Sequence, residues 1–161
     1  MKNTVKLKQL ITEKSFRVPA RTDRPQTQVT VIDLIDRQII NKRLIATLPC
    51  VNGEILADPV HDILKLAIVE RYGKTGGVGV GFVRGFGLRE GAMAYSISHD
   101  HHNIVVVGGN ELDMAQSVQG IQEMQGGLCV VRNGEVMAKL RLAIGGLVSE
   151  QAAGTVMRVL E

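Results

Sequence analysis

The sequence has no tryptophan, only three phenylalanines and two tyrosines in 161 residues. Val, Ile, Leu, Ala and Met must therefore build the core. A chain near this length buries roughly 70% of its unfolded surface, which is enough for one domain spanning residues 1–161. Only two cysteines occur, Cys50 and Cys129, far apart in sequence. They make neither a disulfide framework nor a metal-type spacing, and they suggest buried thiols in a reducing compartment. No apolar run approaches membrane-span length, and the opening MKNTVKLKQL lacks the apolar centre of a secretory signal. These absences point to a cytoplasmic protein with no membrane partner.

Charge is uneven. Residues 1–43 hold 10 basic and 4 acidic residues, whereas the remainder holds 9 basic and 12 acidic. A basic third could meet nucleic acid, but its charges are scattered and Phe16 is its only ring that could stack on a base. No nucleic-acid partner is expected.

Several elements can be read directly. Residues 3–10 alternate as a first strand, and residues 13–28, with Pro19 and Pro25, read as a loop. Thr27–Ile35 alternates and is rich in β-branched residues, so it reads as a strand. Asn52-Gly53 and Asn133-Gly134 each lie between apolar runs and predict hairpins, because both turn positions favour positive φ. Ile63–Arg71 is mostly apolar and suits either a short helix or a buried strand; its β-branched residues favour the strand. Asn110–Gln125 reads as a helix, with Asn110 as cap, Glu111 and Asp113 in the first turn, and Gly126-Gly127 as terminator. Ser149 is a second candidate cap, for a helix running to Glu161. The fold class is α+β: a mainly antiparallel sheet with two Asn-Gly hairpins and two packed helices.

Glycine is abundant, and its densest stretch is Gly76–Gly109. Gly73-Lys74-Thr75 resembles the end of a phosphate loop, but Ile68 occupies the position of the required earlier glycine. Gly79 and Gly81 begin a dinucleotide-type series that Arg84 breaks. The cluster Ser98-His99-Asp100-His101-His102-Asn103 is the serious candidate site. If extended, it puts His99 and His101 on one face and Asp100 and His102 on the other. Imidazole and carboxylate together can ligate a divalent metal or relay a proton near neutral pH.

A set of motifs carries a resemblance. Val69-Glu70-Arg71, Gly73 to Gly76, Gly79 to Val83, Gly85-Phe86-Gly87-Leu88, Gly91-Ala92, His99-Asp100 and His102-Asn103 form the set, joined by Asp113-Met114-Ala115 and Gly146-Leu147. Together they are similar to the C-terminal domain of bacterial adenine deaminases. Tyr72 stands where that family usually has His, and His101 where it usually has Ser. A Pro-containing stretch of the family is replaced here by Arg141–Ile144.

The resemblance implies a part in metal-dependent hydrolysis of adenine to hypoxanthine and ammonia, with Mn²⁺ or Fe²⁺ in the complete enzyme. It implies His99, Asp100, His102 and Asn103 as catalytic-site residues, with His99 and His102 as metal ligands. Arg84 and Gly85 would help bind substrate. The family's catalytic barrel lies upstream and its domain continues beyond the equivalent of Glu161, so the chain reads as a fragment needing a barrel in cis or trans. A homo-oligomer is expected, with no activity from the chain alone. The alternative is a non-enzymatic purine- or metal-binding module.

Overall fold

The structure is a computed structural model and describes residues 4–160. Nine strands form one sheet: β1 (Gln26–Leu34), β2 (Asn41–Val51), β3 (Glu54–Ile55), β4 (Ile63–Val69), β5 (Val78–Arg84), β6 (Ala92–Tyr95), β7 (Ile104–Gly108), β8 (Gly127–Arg132) and β9 (Glu135–Arg141). Across the sheet the order is β3-β2-β1-β5-β4-β7-β6-β8-β9. The helices are α1 (Glu111–Met124) and α2 (Ala153–Leu160). The class is α+β, as the sequence suggests, but the sheet is mixed. β1 runs parallel to β5, pairing Val31 with Phe82 and Ile32 with Val83. A parallel pair needs a long crossover, and here β2, β3 and β4 all intervene in the chain.

Residues 4–10 form no strand; the sequence reading began at residue 3, which lies outside the described residues. A single bridge joins Lys6 to Tyr72, and the chain then turns so that Val5 and Ile11 enter the core. A short 3-10 turn at Glu13–Phe16 buries Phe16 inside the stretch read as loop. Val51 pairs with Glu54 and Arg132 with Glu135, with Asn-Gly between each pair. Asn52 and Gly53 have φ of 52° and 76°, and Asn133 and Gly134 have 53° and 80°.

Helix α1 starts where its sequence says it should. The Asn110 side chain accepts the Asp113 amide at 2.8 Å, capping the first turn. Gln125, left-handed at φ 63°, ends it. Met114, Ala115, Val118 and Ile121 pack on Ala67, Ala94 and Val106 from the sheet. Small residues in the strands let the helix approach closely. A Cβ on Gly108 would lie 2.6 Å from Met114 Cγ, and one on Gly120 would lie 2.6 Å from Cys129 Sγ.

The second helix is a correction. Ser149 accepts the Gln151 amide at 3.0 Å, but α2 begins only at Ala153. Ala153, Gly154, Met157 and Arg158 are exposed, so most of its described side chains are unpacked. Of the two thiols Cys129 is buried, and Cys50 only partly.

Register assigns each strand residue to a face. One face carries Lys65, Ala67, Val69, Phe82, Ala94 and Val106, and lies under α1 or the N-terminal segment. Its polar member, Lys65, is fully buried and ion-paired with Glu54 at 3.0 Å and with Glu111 in the first turn of α1. The opposite face carries two cross-strand rows. Gly81, Leu66, Val107, Met93 and Val130 form one; Gly79, Ile68, Val105, Tyr95 and Leu128 form the other. Phe86 and Leu88 fold over only the Leu64–Val83–Val107 corner of this face.

Candidate functional site

The His cluster closes the gap between β6 and β7. It is a turn rather than an extended run. Asp100 and His102 sit at φ 67° and 47°, and the His101 and His102 amides bond the carbonyls of His99 and Ser98. Asp and His tolerate this left-handed region better than most residues, which makes the reversal possible here. The alternating faces expected of an extended segment therefore do not exist.

Each side chain has a distinct setting. His99 and Asp100 project outward, 94% and 88% exposed, with Nδ1 and Oδ1 3.1 Å apart. His101 is also exposed, but its ring bonds back into the turn: Nδ1 accepts the Asn103 amide at 3.0 Å, so Nε2 carries the proton of the neutral ring, 3.1 Å from Ser98 Oγ. Asn103 Oδ1 accepts the Arg71 amide at 3.4 Å and ties the turn to the end of β4. His102 is partly buried, and its Nδ1 has no hydrogen-bond partner.

Beneath the turn lies Arg71, 2% exposed. One guanidinium nitrogen donates to the Gly145 carbonyl at 3.0 Å, while Nε and Nη1 find no partner. Its charge also lies 5.3 Å from the centroid of the Tyr72 ring. The Tyr72 hydroxyl donates to the His101 carbonyl at 3.1 Å, so Tyr72 braces the turn at His101.

The neighbouring loop has its own organiser. The Glu70 carboxylate accepts the backbone amides of Tyr72, Lys74, Thr75 and Gly76. Desolvation pushes its pKa up, but the four donors outweigh that and the net shift is down.

Arg84 and Gly85 lie elsewhere. Arg84 grips Asp33 through two hydrogen bonds of 2.8 and 3.0 Å, on the same sheet face as Phe82. That bond is the main reason the Asp33 pKa falls and the Arg84 pKa rises. The Gly85 and Gly87 amides both donate to Asp62. This bend sends Phe86 over the open face.

Between Phe86 on one side and Ser98 and His101 on the other lies a cleft of about 250 Å³. Leu66, Ile68, Val105 and Tyr95 line it. Thus the structure brings the two sequence-predicted regions to one cleft, although neither Arg84 nor His99 lines it. Burial raises the Tyr95 pKa, and its hydroxyl has no hydrogen-bond partner among the described residues. Sequence reasoning passed over Ile68 and Tyr95. Ser98 stood beside the histidines, but nothing local marked Ile68 or Tyr95.

The described residues gather no group of three or more His, Cys, Asp and Glu side chains able to hold a metal ion. They also include no helix long and apolar enough to cross a membrane.

Residues 38–161 match the family model described as "Adenine deaminase C-terminal domain". The whole chain is 48% identical to an adenine deaminase of Desulforamulus reducens, but it covers only 27% of that protein. With an adenine deaminase of Moorella thermoacetica it shares 39% identity over 94% of the chain, which is 25% of the relative. With "Adenine deaminase 1" of Carboxydothermus hydrogenoformans it shares 47% identity over 78% of the chain, or 21% of the relative. The chain thus spans about a quarter of the length of these relatives. It belongs to the adenine deaminase C-terminal domain family.

Proposed function

We propose that this chain acts as the C-terminal part of an adenine deaminase and contributes to the hydrolysis of adenine to hypoxanthine and ammonia only beside an upstream catalytic barrel. The match of the full chain to about a quarter of a relative that bears that name carries the reading. The chain's own residues do not fit the Mn²⁺ or Fe²⁺ that the family resemblance implies. His99 is exposed, both ring nitrogens of His101 are engaged, and among the described residues no group of three or more metal donors includes His102. The ion therefore belongs to the barrel, and His99 and His102 would ligate only with donors from outside this chain.

In this reading the 98–103 turn is the chain's contribution to the active site. Asp100 beside His99 Nδ1 holds the proton on that nitrogen and leaves Nε2 outward as the acceptor of a proton. Asn103 and Tyr72 fix where the turn stands. Arg84 and Gly85 act at one remove, by aiming the Phe86 loop.

The test is an adenine deaminase assay with Mn²⁺ on this chain alone and after mixing with a separately expressed barrel. Hypoxanthine from the mixture only is the expected result; steady production by the purified chain alone refutes it. A second reading, a non-enzymatic purine- or metal-binding module, draws on the apolar cleft with its polar rim. Calorimetric heat with adenine or Mn²⁺ on the isolated chain would favour it.

A further inference from the structure

We propose that the open face of the sheet, the strip from Gly79 across Ile68 and Val105 to Tyr95, is the seat on which the upstream part of the enzyme packs. This rests on the reading above and adds which surface is used. Four observations carry it.

The first is that the face is apolar and covered only in part: Val105 and Val107 are buried, at 6% and 2% exposure, but its outer residues are not. Ile68 is 40% exposed, and farther along the same face Ile32 and Ile45 are 41% and 49% exposed. A sheet apolar on both sides needs a layer on each, and this chain supplies α1 to one side only.

The second concerns glycine. Gly79 and Gly81 pair with Ile68 and Leu66 and so share their face. Neither has a positive φ, and an added Cβ would meet nothing within 4 Å at either. Neither the backbone conformation nor the packing of this chain requires glycine there, and glycine weakens a strand interior. A surface that must approach the strand backbone closely does require it.

The third is where the upstream part attaches. The relatives carry about three quarters of their length outside the matched region. The first described residues meet the sheet at the end that holds the His turn. The Lys6 amide bonds the Arg71 carbonyl at 2.7 Å, and Tyr72 bonds His101. A domain joined there stands beside Tyr95, Ser98 and His101.

The fourth is the rim. The Tyr95 hydroxyl has no partner among the described residues, and Ser98 and His101 border the apolar floor. An apolar centre edged by polar groups is the ordinary anatomy of a protein interface. The occupant is thus a flat apolar element of the upstream domain that carries a hydrogen-bond partner for Tyr95.

The experiment grafts this chain in place of the matched part of the Desulforamulus reducens relative. Amide hydrogen exchange in residues 85–90 and 97–103 is then compared with the isolated chain, and hypoxanthine production is measured on the same graft. Exchange in both loops should slow at least tenfold, while residues 35–40 at the far hairpin stay unchanged. Ile68→Glu in the graft should restore fast exchange. Its folding is checked by melting the isolated variant, and Gly81→Leu serves as a second block that adds no charge.

A graft that deaminates adenine without slowed loops overturns the seat and spares the functional reading. Slowed loops in a silent graft do the reverse, and a graft with neither overturns both. Protection that survives both substitutions overturns the seat. So does self-association of the isolated chain that Ile68→Glu abolishes, because the occupant is then a second copy.

Discussion

The two faces of one sheet are built from alternate residues of the same strands, yet they use glycine in opposite ways. On the helix side, side chains at Gly108 and Gly120 would collide with Met114 and Cys129. On the other side, Gly79 and Gly81 look onto open space. Ala67, Val106 and Ile121 on the helix side are fully buried, while Ile68, the neighbour of Ala67, is 40% exposed. The strands are apolar on both faces, but this chain lays a helix on only one of them and covers the other in part, at the Leu64–Val83–Val107 corner. Glycine on the covered face is explained by its neighbours, whereas no described neighbour within 4 Å requires glycine on the open face.

The comparison can be broken from the covered side first. Replacing both Glu54 and Glu111 with Gln strands the buried Lys65 without a counter-charge. The expected loss is about 3–5 kcal/mol in urea unfolding, because a buried charge that loses its partners is among the costliest single defects. Next comes the core. Ile121→Ala should cost about 2–5 kcal/mol, the range for truncating a fully buried aliphatic side chain. Its counterpart Ile68→Ala should cost about 1 kcal/mol or less in the isolated chain, since much of that side chain already meets water. Equal losses at the two positions would erase the difference between the faces.

Glycine sharpens the contrast. Gly108→Ala should destabilise by about 1–3 kcal/mol, since its Cβ would come 2.7 Å from the unyielding Cβ of Ala92. Gly81→Ala should leave the isolated chain unchanged, or stabilise it by about 0.4–1 kcal/mol by restricting the unfolded state. Thermal unfolding of the two variants reads this directly. A loss at Gly81 as large as at Gly108 would mean that the open face is already filled.

The smallest effect concerns pH. The Glu70 pKa lies below its ordinary value of 4.5 in the folded chain. A depressed carboxyl pKa contributes stability that is complete well above the unfolded value and lost as pH falls through the folded one. Wild type should therefore exceed Glu70→Gln in stability at pH 7, and the gap should narrow as acidification takes the pH below 4.5 and through the depressed folded value. Urea midpoints across that pH range check it; a gap that widens on acidification would contradict the carboxylate's role in holding residues 72–76.

What could be read from the sequence follows the range of the interactions involved. Helix α1 was legible because its cap and first-turn acids are local, although left-handed Gln125, not the expected Gly126-Gly127, ends it. The strand at Ile63–Val69 was readable but ambiguous, for a reason now visible: a strand apolar on both faces loses its alternation. The parallel pairing of β1 with β5 joins residues some fifty positions apart and has no local signature. The same holds for Arg84, whose partner Asp33 is equally remote. The residue types of the His cluster were plain, but their directions were not, since two left-handed residues turn the segment back. The glycines at 79 and 81 were conspicuous in the sequence, yet only the structure separates glycines whose Cβ would clash within the chain from those that look onto open space.

Hypoxanthine production by the graft of this chain onto the upstream part of the Desulforamulus reducens relative tests the central claim most directly. The isolated chain should be silent, the graft active, and Ile68→Glu in the graft at least tenfold slower. Hypoxanthine from the isolated chain, or a graft whose rate is indifferent to Ile68→Glu, would contradict the account.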